Sequence, residues 1–137
     1  MRGIDTNVLV RYIVQDDPEQ SRQATHFIER TCSGEESSIF ITGIVLCELV
    51  WVLETSYEYP KESIIPVLEK ILKTRQFCIY QSEILWNCFH DYQQINIDFA
   101  DSYIAHLNAS NSCEYTVTFD KKASRLKQFK QLNDKNN

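Results

Sequence analysis

Apolar and polar positions along the chain change period several times, and each change marks an element. Residues 2–4 read as a short strand that runs into Asp5, followed by a helical segment to Val14. Asp16-Asp17-Pro18 forms a turn and starts a second, amphipathic helix extending to about Cys32. Residues 39–42 read as a strand and residues 44–57 as a strongly apolar helix. Pro60 opens another helix through Thr74, followed by a strand at 77–81 and helices at 83–93 and from Asp98 to about Ser110. Residues 115–119 are β-branched and aromatic, as a strand requires, and a basic helix is expected from Lys121. Strands alternating with helices indicate an α/β fold around a mostly parallel sheet. In such sheets ligands collect beyond the carboxyl ends of the strands. There are no internal repeats and no linker-like segment, so one domain is expected over residues 1–132, with a frayed polar end at 133–137.

Composition narrows the class. With 43% hydrophobic and 24% charged residues among 137, the chain can bury a core and does not fit the disordered class. No apolar run is long enough to span a bilayer, and Asp5 interrupts the first hydrophobic stretch, so the expected location is cytoplasmic. The five cysteines form no C-x-x-C pair and read as free, reduced, buried thiols. His26, His90 and His106 are scattered, which gives them no metal role. A net charge of −5 runs against handling nucleic acid. The distribution changes that reading: with Asp5, Glu48, Asp98, Asp101 and Asp120 set aside, the remaining acidic and basic residues balance.

Those five acids are the candidate chemistry. Asp5 and Asp120 each follow a strand directly, where either helix capping or a ligand role would suit an aspartate. Asp98 and Asp101 stand three apart at the start of one helix, a spacing that shares a face and suits the helix dipole. Glu48 lies in Ile44-Val45-Leu46-Cys47-Glu48-Leu49-Val50-Trp51-Val52-Leu53, apolar on every side but for this charge, and such a helix is expected to be buried. An unpaired carboxylate there would cost roughly several kcal/mol unless it is neutralised, paired with Arg or Lys, or bound to a metal.

Four segments carry a family resemblance. Gly3-Ile4-Asp5-Thr6-Asn7-Val8-Leu9-Val10-Arg11-Tyr12 followed by Gln15-Asp16-Asp17-Pro18 resembles the opening of VapC-type PIN-domain toxins. Cys47-Glu48-Leu49-Val50-Trp51-Val52-Leu53 is similar to their second motif, Asp98-Phe99-Ala100-Asp101-Ser102-Tyr103-Ile104-Ala105 to the third, and Thr118-Phe119-Asp120-Lys121-Lys122 to the fourth. The motifs keep the family order and span residues 3 to 122. After the fourth motif, Lys127-Gln128-Phe129-Lys130-Gln131-Leu132 is a poor version of the family's short final strand, which leaves that strand open.

The resemblance implies a PIN-like three-layer fold, with a central sheet flanked by helices, and hydrolysis of an RNA phosphodiester leaving a 5′-phosphate. It implies that Asp5, Glu48, Asp101 and Asp120 converge as a catalytic, metal-binding quartet, with Asp98 as a helper ligand. Oxygen-only ligands select Mg²⁺ or Mn²⁺. Thr6, Asn7 and Thr118 are candidates for supporting or phosphate hydrogen bonds, though turn chemistry also suits them. Arg11, Lys121, Lys122 and Arg125 are candidates for holding the RNA backbone. A homodimer and a protein antitoxin are the implied partners, and Ile44–Leu53 with Ile64, Ile65, Leu68, Ile71 and Leu72 offer apolar surface that a core would use equally well. The alternatives are a PIN nuclease in RNA processing and a PIN module without catalysis. A haloacid-dehalogenase-type phosphatase needs a second acid two residues after the first, where this chain has Asn7. A DNA repair nuclease needs long insertions for which this chain has no room.

Overall fold

Strand β1 (Arg2–Gly3) pairs in parallel with β2 (Ile39–Ile41), and β2 with β3 (Phe77–Ile79), giving a parallel sheet of order β1–β2–β3 in this computed structural model. The structure describes residues 1–34 and 38–133, so from residue 134 onward the expected frayed end lies outside it. The chain divides into two compact units, Met1–Ser82 and Glu83–Asn137.

In the first unit, parallel strands need long connections, and helices supply them. Helices α1 (Thr6–Val14) and α2 (Pro18–Cys32) connect β1 to β2, and α3 (Gly43–Thr55) and α4 (Lys61–Lys73) connect β2 to β3. Asp17 caps α2, accepting from the Glu19 and Gln20 amides at 3.1 and 2.9 Å, with Pro18 in the first turn, where no amide is missed. Thr42 caps α3 through the Val45 amide at 3.3 Å. Gln15 ends α1 in the left-handed conformation (φ 59°), and its side chain donates to Tyr12 O at 2.7 Å and Thr25 Oγ1 at 2.9 Å. The core gathers Leu9, Ile39, Ile41, Leu46, Leu49, Leu53, Ile64 and Leu68, all fully buried. Each such side chain contributes roughly 1.5–3 kcal/mol relative to exposure.

Helix α3 departs from the expectation of burial on every face. Ile44 and Trp51 are 64% and 63% exposed, and Glu48, at the spacing that places it between them, is exposed too. The other side of the helix, through Leu46, Leu49, Val50 and Leu53, fills the core. Helix α4 follows the core pattern, with Ile64, Leu68 and Ile71 buried.

The second unit holds nearly all of α5 (Ser82–Gln94), then α6 (Phe99–Ser110), β4 (Thr116–Thr118) and β5 (Phe129–Gln131). Strands β4 and β5 pair in parallel, Thr116 opposite Phe129 and Thr118 opposite Gln131. The last strand therefore forms. The basic helix expected from Lys121 does not: a single 3-10 turn, Ala123–Arg125, stands in its place. Ala123, Leu126 and Phe129 recur every third residue and all enter one small core with Ile97 and Ala105. That period suits a 3-10 turn leading into a strand.

Among the described residues no helix is long and apolar enough to cross a membrane. The five cysteines are free, as expected, but only Cys88 is fully buried and Cys113 is exposed.

Candidate functional site

In the first unit, the acids are organised by Thr6, the first residue of α1 and 5% exposed. Its amide donates to Asp5 Oδ1 at 2.7 Å, and its hydroxyl donates to Glu48 Oε1, also at 2.7 Å. One residue thus ties the carboxylate that ends β1 to the one midway along α3. Glu48 has no Lys or Arg partner among the described residues, so the ion-pair explanation of its place in an apolar helix fails. Burial and the neighbouring Glu48 push the Cys47 thiol up to about 12. Asp5, Asn7 and Arg11 line a cleft of about 430 Å³. A larger cavity of about 740 Å³, lined by Leu9, Tyr12, Ile28, Val67, Ile71 and Phe77 among others, contains none of the quartet.

Arg11 serves as a tie. Its guanidinium donates to Asp16 at 3.0 Å, Gln20 at 2.8 Å and the Tyr57 hydroxyl at 2.9 Å. Tyr57 in turn donates to Asp16 at 2.7 Å, which, with Arg11, holds that carboxyl below its ordinary range. These bonds use Nε and Nη1, and among the described residues none engages the two Nη2 donors, which stay available to a phosphate.

In the second unit, Asp98 precedes α6 and Asp101 lies in its first turn. Asp98 stands at the cap position without a side-chain capping bond; its carboxylate meets Lys122 Nζ at 3.5 Å. Asp120 follows β4, with its amide donating to Thr118 Oγ1 at 3.0 Å and its carboxylate accepting from the Lys122 amide at 2.8 Å. Thr118 and Asp120 therefore build the turn, and no α-helix follows for Asp120 to cap. Partial burial and the charges of Asp98 and Asp120 raise the Asp101 carboxyl, while Lys122 partly offsets them. Lys121 and Arg125 are exposed. Among the described residues, no three Asp, Glu, His or Cys side chains are gathered closely enough to hold one ion.

A cluster missed from the sequence lies between α5 and α6. Asp91 Oδ2 accepts from the Ser102 hydroxyl at 2.8 Å and lies 2.6 Å from His106 Nε2. Ser102 is fully buried and adjoins Asp101, so the cluster fixes the rotation of the helix that carries Asp101. The signal was Ser102 and His106 at i and i+4, a polar pair on a helix otherwise apolar on that side.

The chain matches the family model described as PIN domain over residues 4–128. A curated relative, the VapC ribonuclease of Aquifex aeolicus (strain VF5), is 25% identical over 133 residues, covering 97% of this chain and 96% of its own length. The match over residues 4–128 takes in both compact units and all the candidate acids, and the chain belongs to the PIN domain family.

Proposed function

We propose that this chain is a cytoplasmic, metal-dependent endoribonuclease, the toxin of a toxin–antitoxin pair, with Asp5, Glu48, Asp101 and Asp120 as its catalytic acids and Asp98 as a helper. The observation that carries the reading is the crowding at Asp101, whose carboxyl is raised by burial and then by two like-charged neighbours, Asp98 and Asp120, against a single lysine. Such an arrangement costs stability, and a cation removes the cost. The donor set, carboxylate oxygens with Glu48 held by a hydroxyl, fits a hard ion such as Mg²⁺ or Mn²⁺. When bound, the ion supplies Lewis acidity to the scissile phosphate and lowers the pKa of a water.

The chain's own groups do the rest. Thr6 keeps Glu48 in one orientation through its hydroxyl, and the Thr118–Asp120 turn aims the Asp120 carboxylate. Lys122 offsets charge while no cation is present. Lys121 and Arg125, exposed beside Asp120 in sequence, suit the RNA backbone. The curated relative's name as a ribonuclease supports RNA over other phosphodiesters. The exposed Ile44 and Trp51 support a protein partner, an antitoxin or a second copy. Intact acids speak against a non-catalytic module.

The test is cleavage of single-stranded RNA with Mg²⁺ or Mn²⁺, with chelator, and with Asp101→Asn. Cleavage that needs the ion, leaves 5′-phosphates and falls at least about a hundredfold in the variant supports the reading. RNA left intact under every ion condition, or cut equally by the variant, overturns it.

A further inference from the structure

We propose that the outward face of β4 is a stacking platform for unpaired bases of RNA, with Phe119 as its principal ring. The inference rests on the ribonuclease reading and adds a base-binding surface to it.

Val117, in the middle of β4, is 52% exposed, and the rings that flank the strand, Tyr115 before it and Phe119 in the bend after it, are 38% and 79% exposed. The residues between them point the other way and are occupied: Thr116 Oγ1 accepts from Asn108, and Thr118 Oγ1 from the Asp120 amide. Two exposed aromatic rings thus flank an exposed valine on a strand whose other face is already committed. The parallel register sets Lys130 opposite Val117, and its ammonium lies 4.3 Å from the centre of the Tyr115 ring. The face therefore interleaves aromatic rings with cations.

Charge selects the occupant. Although the whole chain carries −5, residues 115–133 contain one acid, Asp120, against Lys121, Lys122, Arg125, Lys127 and Lys130. A second copy meeting this face symmetrically would set one lysine-rich surface against another, which disfavours self-pairing. A polyanion with exposed aromatic bases satisfies both features. Unpaired RNA offers those bases, whereas an A-form duplex keeps them stacked inside. Phe119 directly precedes Asp120, so a base stacked there enters beside a proposed ligand of the reaction.

The experiment is fluorescence anisotropy with a labelled single-stranded RNA of mixed sequence, and the same sequence as a duplex, in Ca²⁺ to hold back cleavage. Phe119→Ala should weaken single-strand binding about 5- to 150-fold, the loss of one stacked base, with little effect on the duplex. Phe119→Trp should restore it and Phe119→Leu should not. Phe119 is largely exposed, so these variants leave the core intact. Unchanged single-strand affinity in the alanine variant, equal loss on the duplex, full rescue by leucine, or no RNA binding by the parent protein overturns the proposal. A change of mass in light scattering with RNA affinity unaltered also overturns it and gives the face to a second copy. Cleavage by the parent protein with Mn²⁺ is scored separately: its failure removes the ribonuclease reading, whereas its success beside a silent Phe119→Ala removes only the stacking platform.

Discussion

The Thr6 hydroxyl donates to Glu48 Oε1 at 2.7 Å, across 42 positions of sequence, and joins the first turn of α1 to the middle of α3. The donor is buried and the acceptor is exposed, so the bond serves orientation more than stability. Thr6→Val keeps the shape and removes the donor. The expected cost is about 1 kcal/mol in urea unfolding, near the middle of the range for one hydrogen bond. The same variant should lose about 10- to 100-fold in Mn²⁺-dependent cleavage, as removal of a partner that orients a ligand does. Thr6→Ser should retain both properties, and a serine variant as impaired as valine would show that the methyl group matters instead.

Asp101→Asn should separate stability from activity. The Asp101 carboxyl is raised by burial and by Asp98 and Asp120, so the fold binds its proton more tightly than the unfolded chain does. Such a group weakens the fold as pH rises through its ordinary carboxyl range and above. The amide removes that cost, and the metal-free variant at pH 7 should melt no lower than the parent while losing cleavage. A lower melting temperature at pH 7 would show that the Asp101 charge supports the fold.

Asp16 gives the opposite sign. Hydrogen bonding from Tyr57 and the Arg11 guanidinium lower its carboxyl. A depressed carboxyl contributes stability above its ordinary value and loses it as pH falls through the lowered value. Tyr57→Phe removes the largest cause. The variant should be less stable than the parent near neutrality, and the gap should close as acid protonates Asp16 in both. Parallel acid titration by circular dichroism checks this, and a gap that stays constant to pH 2 would assign the loss to packing of the Tyr57 ring.

The cysteines divide by environment. Burial and the neighbouring Glu48 push the Cys47 thiol up to about 12, so far less of it is thiolate at pH 8 than of an ordinary cysteine. Cys113 is exposed. Limited alkylation at pH 8 followed by peptide mass mapping should therefore find Cys113 modified first and Cys47 last among the half-buried thiols. Early labelling of Cys47 would mean that α3 opens readily.

The order of elements through β4 was legible because each carries its own period and punctuation: Asp17-Pro18 opening α2, Thr42 before α3, and the β-branched residues of β4. Placement of single residues was legible where the motif is local, as for Asp98 and Asp101 at the start of α6. Three features were hidden because they depend on what the rest of the chain does. Glu48 looked buried because Ile44 and Trp51 are apolar, yet only the fold decides that these two face outward. The stretch after Asp120 looked helical because lysines favour helices, but pairing with β4 claims Phe129–Gln131 and leaves room for one 3-10 turn. Arg11 was read as a phosphate contact, and its ties to Gln20 and Tyr57, from 9 and 46 positions away, were not legible.

The basic residues after Asp120 should contribute unequally to RNA binding, because the structure treats them unequally. Lys122 already meets Asp98 at 3.5 Å, whereas Lys121 and Arg125 are exposed. A cation that neutralises a phosphate releases a counter-ion, and for single strands each contact adds about 0.7 to the slope of log affinity against log salt. Lys121→Gln and Arg125→Gln together should flatten the slope by up to about 1.4, measured on single-stranded RNA in Ca²⁺. Lys122→Gln should change it less, since that ammonium is shared with a carboxylate before RNA arrives. If Lys122→Gln instead flattens the slope as much as the other two together, the Lys122–Asp98 pair must open on binding. Lys122 would then be a phosphate contact that Asp98 holds in reserve.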